Sequence, residues 1–139
     1  MSQTSFLRKK RILIVEDHSE LRELIRLRFK DEGYAVATAT NGIDAVRKTR
    51  SLMPDLILLD VMLPELDGFM VCELLRRDKA TKRIPVIMVT GLEGQVPRCA
   101  GIESGATEFV TKPVTPADLI SRVNHLLKDS SAPKPVARS

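Results

Sequence analysis

The 139-residue chain predicts an α/β fold, a doubly wound parallel sheet with helices on both faces. Two observations carry this. Five short apolar runs alternate with five stretches of helical character, the mark of repeated strand, crossover and parallel strand. Three of the runs, "RILIV", "DLILL" and "PVIMV", are apolar at both alternating positions, as strands covered on both faces must be.

The elements follow in order. "RILIVED" (11–17) is the first strand, and "SELRELIRLRFKDEG" places Leu21, Leu24, Ile25, Leu27 and Phe29 close to one helical face, with Gly33 as its stop. "YAVATAT" (34–40) and "NGIDAVRKTRS" (41–51) repeat the pair, as do "DLILLD" (55–60) and "GFMVCELLRRD" (68–78). "IPVIMVTG" (84–91) is the fourth strand and "TEFVTKP" (107–113) the fifth. "TPADLISRVNHLLK" (115–128) closes the domain as an amphipathic helix, capped by Thr115 and opened by Pro116. The helix between Gly91 and Ala106 is weakened by Gly94, Pro97, Gly101 and Gly105, so it is expected to be short or mobile. Residues 1–9 read as a flexible N-terminus, 10–128 as one domain, and "DSSAPKPVARS" (129–139) as a disordered tail or linker stub.

Bulk properties narrow the function. At 43% hydrophobic the chain can fill one core. No apolar run approaches the roughly 20 residues a membrane span needs, and "MSQTSFLRKKR" lacks a secretory apolar stretch, so a cytoplasmic protein without membrane insertion is expected. The net charge of +4 is scattered over "RKKR" (8–11), the arginines of "ELRELIRLRFK" and "LLRRDKATKR", and aromatic residues are only 4%, which argues against direct nucleic-acid binding. Cys72 and Cys99 have no CxxC spacing and read as free thiols.

The chemistry gathers at the strand ends, where open parallel sheets hold their ligands. Strand one ends in Glu16 and Asp17, strand three in Asp60, strand four in Thr90, and strand five in Lys112 before Pro113. Singly these are bland: Asp17 could cap a helix, Thr90 could make a turn, and Lys112 could be solvated. Asp60 is different. It follows four core aliphatics with no helix directly after it to cap, and a carboxylate beside apolar surface is costly unless a cation compensates. Three carboxylates in one cleft call for a divalent cation, and oxygen donors favour Mg²⁺, or Mn²⁺ in its place. Mg²⁺, a hydroxyl and an ammonium suit a phosphoryl group, with Asp60 as nucleophile.

"VED" (15–17), "LLDVMLPELDG" (58–68), "PVIMVTG" (85–91) and "GATEFVTKP" (105–113), in this order, resemble the receiver domain of bacterial two-component response regulators over roughly residues 10–128. The resemblance implies a flavodoxin-like fold of five strands and five helices. It implies a phosphoacceptor signalling domain that assists its own phosphorylation and dephosphorylation, with Asp60 phosphorylated by a sensor histidine kinase or a histidine phosphotransfer protein. Asp17 would bind Mg²⁺ directly, Glu16 partly through water, and Met62 through its backbone carbonyl. Thr90 and Lys112 would hold phosphoryl oxygens, Pro113 would fix the loop by a cis bond, and Gly91 would leave the phosphoryl group access. Thr90 moving inward would let Phe109 switch the face of helix four, strand five and helix five toward a downstream protein target or output domain.

The sequence departs from the family pattern in places. Phe109 lacks the hydroxyl of the tyrosine frequent there, so a core plug and a switch both fit. Met62 and Leu92, which tune hydrolysis in the family, are apolar and cannot orient a water, so slow self-dephosphorylation is expected. An aspartyl phosphatase would want an acid at Met62, and "VEDHSE" lacks the glycines of a nucleotide-binding turn. The alternative is a receiver-like interaction module that works without phosphorylation. A stand-alone regulator and an excised receiver are equally compatible with the chain. Asp67 reads as the cap of helix three, after Pro64 and before Gly68.

Overall fold

The computed structural model describes residues 8–92 and 94–131. Five parallel strands form one sheet in the order β2-β1-β3-β4-β5: β1 Arg11–Val15, β2 Ala35–Ala39, β3 Leu56–Leu59, β4 Val86–Thr90 and β5 Glu108–Thr111. The helices between and after them are α1 Ser19–Asp31, α2 Gly42–Leu52, α3 Gly68–Arg77, α4 Gln95–Ser104 and α5 Pro116–Ser131. The doubly wound (βα)5 architecture is as the sequence predicts. Phe6 and Leu7 and the segment from Ala132 lie outside the described residues, as do most of the expected flexible N-terminus and tail.

Alternation along the strands divides the core into two layers. Leu13, Val15, Ile57, Leu59, Val86 and Met88 point to the face covered by α2, α3 and α4. Ile12, Ile14, Leu56, Leu58, Ile87 and Val89 point to the other face, where Ile25 and Phe29 of α1 and Leu119 and Val123 of α5 close over them. β3 and β4 are buried throughout and β1 from its second residue, whereas the edge strands β2 and β5 are only partly covered. That is the physical reason the central three read as unbroken apolar runs.

The expected apolar face of α1 needs correction. Ile25 and Phe29 are buried, but Leu24 and Leu27 are 46% and 48% exposed. Residues 21, 25 and 29 are spaced by four and share one stripe, while 24 and 27 sit roughly a quarter turn or more away from it.

Capping separates the helices. His18, Asn41, Asp67 and Thr115 accept hydrogen bonds from the first turns of α1, α2, α3 and α5, at 3.3, 2.8, 3.0 and 3.1 Å. The cap predicted for Asp67 is therefore present. α4 forms, but it opens on Gly94, in a left-handed backbone with no side-chain cap. Its amides are expected to exchange with solvent about tenfold faster than those of α1, since a glycine cap costs a few tenths of a kcal/mol and Gly101 in the helix interior about 1 kcal/mol more. Native-state hydrogen exchange checks this, and equal protection would refute it.

Candidate functional site

Because the strands are parallel and β1, β3, β4 and β5 are successive neighbours, their carboxyl ends share one edge. Glu16 and Asp17 follow β1, Asp60 follows the central β3, Thr90 ends β4, and Lys112 follows β5. The expected residues thus come to the same edge. Asp60 and Glu16 are buried and Asp17 is exposed.

Lys112 Nζ lies between the two buried carboxylates, 3.1 Å from Glu16 Oε1 and 3.2 Å from Asp60 Oδ2. The Met62 N–H donates to Asp60 Oδ1 at 3.0 Å, and the His18 N–H to Glu16 Oε2 at 3.2 Å. Burial raises the Glu16 carboxyl above its ordinary value, Asp60 pushes it the same way, and Lys112 opposes both. Burial pulls the Lys112 ammonium down, but Asp60 and Glu16 outweigh it and leave it above its ordinary value. One ammonium thus faces two buried carboxylates and a third at the rim. Oxygen atoms of Glu16, Asp17 and Asp60 lie within 4.8 Å of one another. That all-oxygen set, with more negative than positive charge, fits a hard divalent cation such as Mg²⁺ or Mn²⁺.

Thr90 is fully buried. Its hydroxyl accepts the Leu92 N–H at 3.3 Å, and its carbonyl accepts the Lys112 N–H at 2.7 Å, fastening β4 to β5 beside the lysine. The Lys112-Pro113 bond is cis. Gly91 is exposed, and a Cβ there would meet no heavy atom within 4 Å. Met62 is 59% exposed, so its side chain stands in solvent beside Asp60, whereas Leu92 packs on the core. Phe109 is buried, away from the acidic cluster, against Gly101 of α4.

Four contacts were not read from the sequence. Arg22 of α1 donates to the Glu16 carbonyl at 2.9 Å and to the Asp17 carbonyl at 3.3 Å, holding the acidic turn. Arg98 stands 5.3 Å from the Phe109 ring centroid and donates to its carbonyl at 3.3 Å. Gly68 lies directly against the Asp60 backbone. An apolar cavity of about 300 Å³, walled by Leu21, Ile25, Leu58 and Leu119, opens toward Glu16, Asp60 and Lys112. The "LDG" motif was the only available hint of the glycine contact. The other three depend on tertiary packing.

Comparison with known proteins meets this geometry from another side. The sequence signature described as "Response regulator receiver domain" matches residues 12–124. The response regulator PleD of Caulobacter vibrioides is 42% identical over 118 residues, 85% of this chain and 26% of that protein. The DNA-binding dual master transcriptional regulator RpaA of a Synechocystis species is 42% identical over 118 residues, 85% of this chain and 49% of that protein. The chain therefore spans about a quarter to a half of these relatives. Among solved structures, a response regulator from Chloroflexus aurantiacus superposes with a TM-score of 0.82 at 32% identity, covering 87% of this chain and 99% of its own.

Proposed function

This chain belongs to the family of response regulator receiver domains, and from that premise we propose that Asp60 accepts a phosphoryl group from the phosphohistidine of a sensor kinase or histidine phosphotransfer protein. The observation that carries the reading is the Lys112 ammonium held between the buried Glu16 and Asp60 carboxylates. That arrangement sets a cation beside the buried nucleophilic carboxylate, which would otherwise be costly to bury.

In the proposed reaction an Asp60 oxygen attacks the phosphorus in line. The new O–P bond forms as the P–N bond to the partner's imidazole breaks, and the ring nitrogen keeps the electron pair. Met62 N–H and Lys112 fix the direction of the Asp60 carboxylate. Lys112 then stands where it neutralises charge on the transferred group. Glu16, Asp17, Asp60 and the Met62 carbonyl would hold Mg²⁺, which supplies further charge stabilisation to the phosphoryl oxygens. The Thr90 hydroxyl binds a phosphoryl oxygen once its loop moves inward, and that movement biases the packing of Phe109 and of the α4, β5 and α5 face toward a partner or output domain. In the starting state Phe109 already fills the core and is covered by Arg98. The change we propose is therefore a repacking of that buried ring.

Two measurements test the reading. Phosphotransfer profiling against the host's histidine kinases and phosphotransfer proteins should find a cognate donor. Transfer from none of them, together with no adduct from acetyl phosphate and Mg²⁺, would leave the receiver-like interaction module as the better account. The second concerns lifetime. The exposed Met62 side chain offers no hydrogen bond to an attacking water, so Met62→Asn should speed loss of the phosphoryl group about tenfold, the worth of one oriented hydrogen bond. Decay of the acyl phosphate in Mg²⁺ reads this directly, and a rate no faster than native would refute it.

A further inference from the structure

The two basic runs that lie far apart in the sequence meet at the edge of the sheet opposite Asp60. Arg8, Lys9 and Lys10 lead into β1, and all three are exposed. Arg77, Lys79, Lys82 and Arg83 end α3 and line the loop into β4, and they are exposed too. None of these cations makes a salt bridge among the described residues. The carboxylates of Asp55 and Asp78 at this edge are already engaged. Asp55 accepts the Arg11 N–H at 2.7 Å, and Asp78 accepts Arg50 at 3.1 Å and the Ala80 N–H at 2.9 Å. Asp55 keeps its negative charge and Asp31 and Glu32 end α1 beside β2, but the seven cations outnumber these carboxylates and leave the edge a net positive pole.

The loop that carries half of this charge is braced from within. Arg76 donates to the carbonyls of Lys82 at 3.1 Å and Ile84 at 2.8 Å, and the buried Thr81 hydroxyl donates to the Leu75 carbonyl at 2.7 Å. The backbone that carries these cations is thus held in place at the same edge as the residues before β1. Only β3 separates β1 from β4, so the two groups stand two strand spacings apart, roughly 10 Å.

We propose that this pole docks the phosphate backbone of double-stranded nucleic acid without reading its sequence. Two groups of cations carried on backbone about 10 Å apart, one of them on a braced loop, suit the phosphate rows that flank a groove roughly 12 Å wide. A fluid lipid surface would not require that bracing. The absence of aromatic residues among these cations excludes stacking on unpaired bases as the source of affinity. Docking here would leave the Asp60 edge free, a full strand length away, so phosphorylation and duplex binding would not compete for the same surface.

The test is an anisotropy titration of the full chain with a labelled duplex of about 20 base pairs, between about 50 and about 200 mM salt; contact with about four phosphates predicts a log-log slope near −3.6 and a roughly hundredfold loss of affinity. Lys79→Ala with Lys82→Ala should flatten that slope by about 1.8. Arg26→Ala with Arg47→Ala, which removes equal charge from other helices, should leave the slope at the native value. Both variants should accept phosphate from acetyl phosphate at the native rate. No binding at low salt, or equal losses in the two variants, would overturn the proposal. Tighter binding to phosphatidylserine vesicles than to the duplex, lost in the same loop variant, would overturn it in favour of a lipid surface.

Discussion

Replacing Asp60 by Asn is expected to abolish phosphoryl uptake while leaving the fold at least as stable as the native protein. The amide keeps an oxygen to accept the Met62 N–H, now 3.0 Å from Oδ1, so the turn after β3 retains its anchor. It cannot attack phosphorus as a carboxylate does, and intact mass after acetyl phosphate and Mg²⁺ should show no added phosphoryl group. The stability half follows from the charges. Asp60 is the second cause, after burial, of the upward shift at Glu16, and Lys112 and the His18 N–H oppose both. Removing one of two neighbouring carboxylates relieves that repulsion and should add about 1 kcal/mol at neutral pH without metal. The sign can be checked against pH. A carboxyl raised above its ordinary 4.5 contributes stability that is full below that value and is lost as pH rises through the folded one. Metal-free native protein should therefore lose part of its stability between acid and neutral pH, and Asp60→Asn should lose less. Chemical denaturation at several pH values in EDTA measures both, and an adduct of native yield on Asp60→Asn would show that the acceptor lies elsewhere.

Part of this site is legible in the sequence because strands place their ends without help from side-chain detail. A run of core aliphatics ending in Asp60 and another ending in Thr90 declare an edge, and parallel topology brings Glu16, Asp17 and Lys112 to it. Capping is equally local, so Asp67 and Thr115 were readable from their position before a helix. Where a long side chain crosses between elements, the sequence is silent. Arg22 and Arg98 read only as solvated cations, yet one holds the acidic turn and the other covers Phe109. Charge is hard to place along the chain for the same reason. Runs separated by more than sixty residues of chain look scattered, and only the register of β1, β3 and β4 sets them side by side. Leu24 and Leu27 mislead in the opposite way, since apolar character alone does not say which residues of a crowded helix share the buried stripe.

Gly68→Ala should lower stability by about 3 kcal/mol, the upper part of the usual range for overpacking, and shift the thermal midpoint down by roughly 10 °C. A Cβ on Gly68 would stand 2.5 Å from the Asp60 carbonyl oxygen and 2.7 Å from Val61 Cα. Both are backbone atoms, so no flexible side chain can swing away to make room. The same residue donates its N–H to the Val61 carbonyl at 2.8 Å and begins α3 directly after the Asp67 cap. The start of α3 is therefore packed onto the segment that carries the phosphoacceptor. The better helix propensity of Ala, worth at most about 1 kcal/mol, does not offset that clash. Relief must come by moving either the helix start or Asp60, and a displaced nucleophile loses its alignment with Lys112. Phosphoryl uptake from acetyl phosphate should then slow at least tenfold even at temperatures where the variant is fully folded, since a shift of about 1 Å in a reacting group can cost a hundredfold. Gly91→Ala is the matched control: it lies at the same edge, a Cβ there meets nothing within 4 Å, and its stability should stay within about 0.5 kcal/mol of native. If Gly68→Ala were as stable as Gly91→Ala and took up phosphoryl groups as fast as the native protein, the contact beneath Asp60 would not be what holds the acceptor in place.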